Sequence, residues 1–148
     1  MTQHDTTTTL KRFYEAERAY IAAGGPGQAD FSPLAACLSP DVVLHQSPDL
    51  PYAGAWHGPE GLERFMGVMG RLWRSMEFLE QRQLVDGDEV VITSRVRFTA
   101  RATGRTLTTT IVQLITVRDG LLHEIRPFYW EPAAVAEICA PQTDTHLP

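Results

Sequence analysis

Apolar residues recur at helical spacing through Leu10, Phe13, Tyr14, Tyr20 and Ile21, and the run Gly24-Gly25-Pro26-Gly27 then stops the pattern. A first helix is expected there. Ser32 ahead of Pro33 reads as an N-cap with a proline in the first turn, opening a short second helix that ends after Leu38 at Ser39-Pro40. Val42, Val43 and Leu44 mark a strand over 41–46. Pro59 and Glu60 open a third helix, in which Leu62, Phe65, Met66, Met69, Leu72 and Trp73 hold one stripe with Glu63, Arg64 and Arg71 opposite. Beyond Trp73 the pattern changes to long β-type runs, broken at Asp86-Gly87-Asp88, Thr103-Gly104-Arg105 and Asp119-Gly120, each suited to a hairpin turn. Four consecutive antiparallel strands follow, then a closing helix over Pro132 to Cys139. No repeat or linker divides the chain, so 1–148 reads as one domain with a folded core over about 10–139. The Thr6 to Thr9 run and the segment from Pro141 to Pro148 read as frayed ends. This order predicts an α+β fold, a curved antiparallel sheet with its helices on one side.

Composition narrows the partners. With 43% hydrophobic and 21% charged residues, the chain is an ordinary globular sequence and not a disordered one. Its length permits a core without disulfide or metal staples. Thirteen Lys+Arg against 18 Asp+Glu give a net charge of -5, and no basic run is present, which argues against nucleic acid. Apolar stretches fall short of the roughly 20 residues that span a bilayer, and Met1 to Thr9 lacks the apolar centre of a signal peptide. No membrane association is expected, and the chain reads as cytoplasmic. Cys37 and Cys139 stand alone among apolar neighbours, as buried hydrophobes do. The sequence contains no G-x-S-x-G, H-E-x-x-H, P-loop or dinucleotide fingerprint, so neither a cofactor nor a metal is expected.

Candidate chemistry comes from polar residues on apolar faces. In the third long strand, Leu107, Thr109, Ile111, Gln113, Ile115 and Val117 share a face, so the Gln113 amide is either satisfied by backbone or turned into a ligand cavity. In the last strand, Leu122, Glu124, Arg126, Phe128 and Trp130 share a face by the same alternation. A row ending in two large aromatics is expected to meet a cavity or an interface, with Arg126 reaching into it. His123 then falls on the outer face. His45, closing the first strand, is a candidate general base with a side chain that titrates near neutrality. His57 fits a capping or turn role before the third helix, and turn chemistry accounts for Asp49 in the 47–54 loop.

Several words of sequence, in this order, carry a resemblance: Arg18-Ala-Tyr20, Leu38-Ser-Pro-Asp-Val-Val-Leu-His45, Pro51-Tyr-Ala-Gly-Ala-Trp-His-Gly-Pro-Glu60, Asp119-Gly-Leu-Leu-His-Glu-Ile-Arg126 and Phe128-Tyr-Trp-Glu-Pro132. Over roughly Leu10 to Ile138 the chain resembles the nuclear transport factor 2-like superfamily, and within it the SnoaL-like polyketide cyclases and ketosteroid isomerases. The resemblance implies a cone, the cystatin-like barrel, of curved sheet wrapped by three to four helices, open at one end to a hydrophobic small molecule. Ketosteroid isomerases use a carboxylate base with an oxyanion hole of a tyrosine and a protonated acid. By resemblance the tyrosine falls on Tyr20, the protonated acid on Gln113 and a pocket tryptophan on Trp130. The base falls on Gln46 when counted from Asp41, or on Asp49 when counted back from His57-Gly58. Gln46 cannot act as a base, and Gln113 retains a donor without a tunable proton. His45 is therefore the first candidate base and Asp49 the second. The acid that SnoaL-like cyclases carry near the end of the last strand makes Glu131 a third, and Trp56, Arg126 and Phe128 join Gln46, Trp130 and Glu131 as cavity candidates.

These residues imply a cofactor-free enzyme that moves a proton alpha to a carbonyl, in cyclisation, isomerisation or dehydration. The alternative on the same fold is a non-catalytic small-ligand-binding or assembly module. A homodimer through the outer sheet face is expected, with Val112, Leu114, Ile125 and Tyr129 as its apolar groups.

Overall fold

The computed structural model describes residues 3–141. Along the chain it forms α1 (Gln3–Ala22), α2 (Ser32–Ala35), β1 (Leu38–Gln46), β2 (Gly54–His57), α3 (Gly58–Leu72), β3 (Trp73–Asp86), β4 (Glu89–Ala100), β5 (Thr106–Arg118), β6 (Leu121–Tyr129) and α4 (Pro132–Cys139). The strands make one six-stranded sheet in the order β2-β1-β6-β5-β4-β3. β3 to β6 form the expected antiparallel meander, while β1 runs parallel to β6 and β2 lies beyond it at the edge. The result is a mixed α+β fold, a curved open sheet of six strands with four helices.

Three local expectations change. Helix α1 begins at Gln3 and takes in the Thr6 to Thr9 run, burying Thr6 and Thr9. The Thr6 hydroxyl donates to Gly87 O at 2.7 Å, which ties the helix start to the β3–β4 hairpin. The second helix is a single turn in which Ser32 is the first helical residue and Phe31 the N-cap, without a capping side chain; just ahead of it, the Asp30 carboxylate accepts from Ser32 N–H at 3.0 Å and from the Ser32 hydroxyl at 2.8 Å. β2 is a strand that residue pattern did not reveal, held antiparallel to β1 by Val43 opposite His57 through Gln46 opposite Gly54. Gly61 lets α3 approach this strand, since a Cβ there would lie 3.1 Å from the Trp56 carbonyl carbon. Of the C-terminal segment from Pro141 that the sequence suggests is frayed, residues 142 onward lie outside the described residues.

The hairpin turns fall where the sequence puts them. Between β5 and β6, Asp119 and Gly120 have φ of +53° and +74°, the left-handed pair that a two-residue turn between twisted strands requires. Beyond this turn the ladder slips. Thr116 faces Glu124 and Val117 faces Leu122, leaving His123 as an extra residue in β6. One extra residue reverses the faces of everything that follows. Ile125, Pro127 and Tyr129 therefore lie on the inner, helix-covered face opposite Ile115, Gln113 and Ile111, whereas Arg126 and Phe128 lie on the outer face opposite Leu114 and Val112.

Inside, part of the core is filled by rings. Trp73 and Phe98 pack with centroids 4.6 Å apart, Tyr52 meets Phe65 at 5.7 Å, and Phe98 stacks on Tyr129 at 6.2 Å. All five are buried or nearly so. The Tyr52 and Tyr129 hydroxyls share a hydrogen bond of 2.7 Å, so the phenols satisfy each other. Burial pushes the Tyr129 hydroxyl up to about 12 and raises Tyr52 further, so both remain neutral.

Candidate active site

The sheet register carries polar side chains across the inner face. Gln113 on β5 lies opposite Ile92 on β4, and Ile92 opposite Gln83 on β3, while Pro127 of β6 flanks Gln113 on its other side. Gln46 ends β1 on the same face, where its side-chain oxygen is buried without a partner among the described residues. Helix α1 packs over this face against β3, β5 and β6.

The inward stripe of α1 is Thr6, Leu10, Phe13, Glu17 and Tyr20, spaced at three and four residues. Four are buried, and the fifth is a partly buried carboxylate. Among the described residues Glu17 makes no hydrogen bond and no ion pair. Desolvation pushes its pKa up to about 7, against a smaller downward pull from the neighbouring Arg18. Tyr14 lies three residues earlier, a neighbouring position on a helix surface. Its hydroxyl is raised well above the ordinary phenol value by burial and then by the Glu17 charge, so it stays a neutral donor.

Tyr14 forms one wall of a cleft of about 330 Å³ between α1 and the β3–β4 edge. Thr7, Lys11 and Arg18 share that wall; Gln81, Arg82, Gln83 and Ile92 lie across it. Glu17 is not among the residues that line this cleft and lies one helical turn from Tyr14, which does; a proton acceptor next to a neutral phenol donor is a pairing suited to enolisation chemistry. Among the described residues no group of three His, Cys, Asp or Glu is placed to hold a metal ion.

The residues singled out by sequence fall in several places. His45 lies on the outer face, its Nε2 3.3 Å from a Glu124 carboxylate oxygen that also accepts from Arg126 at 3.1 Å. The sheet thus separates His45 from Gln113. Asp49 is exposed in the loop after β1, where its backbone N–H donates to the Ser47 hydroxyl at 3.4 Å. Tyr20 is buried against Phe31, its hydroxyl unpartnered among the described residues and raised by burial and then by Glu63, on the flank of α1 away from Tyr14. Trp56 is on the inner face, packed on Phe65 at 5.6 Å and donating its indole N–H to Tyr52 O, so it serves the core.

The β6 slip overturns the expected cavity row. Arg126 is on the outer face, and Phe128 and Trp130 are 58% and 81% exposed, while Ile125 and Tyr129 point inward and leave the proposed dimer face. His57 occupies the N-cap position of α3 without a capping side-chain bond. Glu131 follows Tyr129 and accepts from the buried Thr109 hydroxyl at 2.7 Å. Both thiols are raised by burial, as small apolar groups would be. Glu17 was legible in principle: it continues the Leu10, Phe13, Tyr20 spacing, and a charge in the middle of an apolar stripe is itself a signal.

Linkage gives Glu17 a measurable signature. Its folded value near 7 exceeds the ordinary 4.5, so the folded chain binds more protons between those pH values. The contribution is complete below about pH 4.5 and is lost as pH rises through 7, costing on the order of 3 kcal/mol above it. Denaturant melts should therefore show stability falling across that window, and Glu17→Gln should flatten the fall. A variant with the parent pH profile would show that Glu17 titrates normally.

Known proteins place this architecture. The sequence model of the SnoaL-like domain matches residues 10–125. No curated protein matches the sequence. An NTF2-like protein from Burkholderia xenovorans superposes with a TM-score of 0.77 at 21% identity, covering 92% of this chain and 98% of its own. A candidate SnoaL-like polyketide cyclase from Jannaschia superposes at 0.70 with 20% identity, covering 94% of each chain. TerC, co-crystallized with polyporic acid, superposes at 0.73 with 18% identity over 91% of this chain and 98% of its own.

Proposed function

Since the chain belongs to the SnoaL-like domain family, we propose that it is a cofactor-free enzyme that moves a proton alpha to a carbonyl, with Glu17 as the base and Tyr14 as the donor to the enolate oxygen. The observation that carries this reading is the position of Glu17: a partly buried carboxylate without a hydrogen bond or salt bridge among the described residues, in the inward stripe of α1 and one helical turn from Tyr14, which lines the cleft. Such a group is costly to keep unless it has work to do. Neighbouring positions on one helix face place Tyr14 and Glu17 to meet the oxygen and the alpha carbon of one enolisable unit. The C–H bond breaks toward Glu17, the electron pair moves onto the carbonyl oxygen, and Tyr14 donates to that oxygen as charge develops. A small-molecule carbonyl compound is thus the substrate class, in keeping with the family's polyketide cyclase relatives by fold.

The test is exchange of alpha protons of acetophenone-type ketones into deuterated water, followed by NMR. Exchange above the buffer rate, lost in Glu17→Gln, supports the enzyme. Binding without exchange in the parent chain would instead make the protein a ligand-binding module.

The outer sheet face supports pairing of two copies, as proposed from sequence but with different residues. Val112 and Leu114 of β5 now stand with Phe128 of β6, and Val91 lies opposite Leu114. Leu114→Asp should convert a dimer of about twice 16.5 kDa to monomer in light scattering. A parent chain that is monomeric at micromolar concentration would end the dimer proposal. No helix among the described residues is long and apolar enough to cross a membrane.

A further inference from the structure

The sheet ends at β2 on one side and at β3 on the other. β2 has four residues, whereas β3 has 14 and contains neither lysine nor proline. An edge strand presents a row of unpaired backbone donors and acceptors, which sheets of monomers keep short or guard with such residues. Residues 77–84 of β3 are all exposed, and Phe78, Leu79 and Leu84 are half of the six large apolar side chains that stand exposed among the described residues. The ladder with β4 is regular over 80–86, with Leu79 an extra residue just before it. That register assigns the faces. Gln81 and Gln83 lie inward, opposite Ser94 and Ile92, while Glu80, Arg82 and Leu84 lie outward, opposite Arg95, Thr93 and Val91. The Gln81 amide agrees, donating to the buried Ser94 hydroxyl at 3.2 Å. Glu80 and Arg82 form no ion pair among the described residues, whose ion pairs are His45–Glu124, Arg97–Glu77, Arg105–Glu137 and Arg126–Glu124.

From this edge we infer that β3 pairs antiparallel with β3 of a second copy, about a twofold axis through Gln81, joining two sheets edge to edge. Residues directly opposite across strands share a face, so within 80–86 the axis must pass through a residue. Passing through Glu80, Arg82 or Asp86 it would set a charge against its own copy, and through Gln83 it would set Glu80 against the partner's Asp86. Through Leu84 or Val85 it would confine the pairing to at most five residues before the turn at Gly87. Through Gln81 it sets Arg82 opposite the partner's Glu80 on the outer face, twice by symmetry, and lets the two strands run past each other. On the inner face the Gln81 amide then meets the partner's Gln81, and each amide has both a donor and an acceptor to offer. Gln81 also lines the cleft against α1, so each copy brings a residue beside the other's cleft. The contact is separate from the outer-face pairing and does not depend on the proton-transfer reading. One strand pair buries less than a standard interface, so it joins chains above the micromolar range in which face pairing is measured.

Cysteine cross-linking reads the register directly. In the Leu114→Asp chain, which lacks face pairing, Gln81→Cys at about 0.3 mM should form a disulfide-linked dimer under mild oxidation. The yield should exceed that of Gln83→Cys or Leu84→Cys by at least about tenfold, because those positions lie roughly 14 and 21 Å from their copies in this register. Peptide mass spectrometry distinguishes a link between two positions 81 from one through Cys37 or Cys139. Arg82→Glu and Glu80→Arg, each added to the Gln81→Cys chain, should lose the link alone and recover it when the two chains are mixed, since only the mixture restores opposite charges. Equal yields at the three positions, a link favoured at 83 or 84, or a mixture no better than its components would overturn the inference. Hydrogen exchange gives a second reading: the amides of 77–84 should gain protection as the Leu114→Asp chain is concentrated from about 10 µM to about 0.3 mM. Protection already complete in the dilute monomer would mean that another segment of the chain covers the edge, and would contradict the second copy.

Discussion

Glu17→Gln is expected to lower alpha-proton exchange by about 10²–10⁴-fold, the range that a positioned general base contributes. Glutamine preserves the volume and polarity of the side chain but cannot take a proton at neutral pH. The stripe from Leu10 to Tyr20 therefore packs as before, and the loss reads chemistry and not folding. In the parent chain, kcat/KM should rise with pH through about 7, because only ionised Glu17 accepts the proton. Tyr14→Phe should cost less, since it removes a donor and leaves the base. His45→Ala should leave exchange unchanged, because that imidazole lies across the sheet with Glu124 and Arg126. Loss of exchange in His45→Ala with full exchange in Glu17→Gln would reverse the assignment.

Phe98→Ala carries the largest expected cost in stability, about 3–5 kcal/mol. Phe98 is fully buried and packs between Trp73 and Tyr129, whose hydroxyl in turn holds Tyr52. Removing the ring leaves a void that neighbouring rings fill only in part. Against a total stability of roughly 5–15 kcal/mol for a domain, that loss leaves the variant marginal. A thermal melt should fall by roughly 6–20 °C, at about 2–4 °C for each kcal/mol in a domain of this size. Phe98→Leu should fall less, because it retains most of the apolar surface. A melt unchanged by Phe98→Ala would mean that the aromatic interior is loosely packed and available to ligand, placing the binding site there instead of at the α1 cleft.

Sequence pattern carried the fold further than it carried the site. Helix and strand periods, three hairpin signals and Pro59 at the start of α3 are local properties, and each appears where local chemistry puts it. β2 was not legible because four residues between a loop and a helix have too short a period to register. The Thr6 to Thr9 run looked frayed because threonine is a weak helix former, and tertiary contact with Gly87 overrides that preference. The site depended on a single alternation argument in β6. One extra residue at His123 moved Arg126 and Phe128 outward and Ile125 and Tyr129 inward, and nothing local announces a bulge there. Glu17 and Tyr14 needed the third dimension for another reason. Helical spacing places them on adjoining stripes one turn apart, but only the packing of α1 over the sheet makes one a desolvated base and the other the wall of a cleft.

The most direct test is the carboxyl titration of Glu17 by NMR, with ¹³C-labelled glutamate in the full chain and Glu17→Gln used to assign the resonance. The structure predicts a midpoint near 7 for the folded protein, and a midpoint near the ordinary 4.5 would contradict the claim that α1 holds a desolvated base.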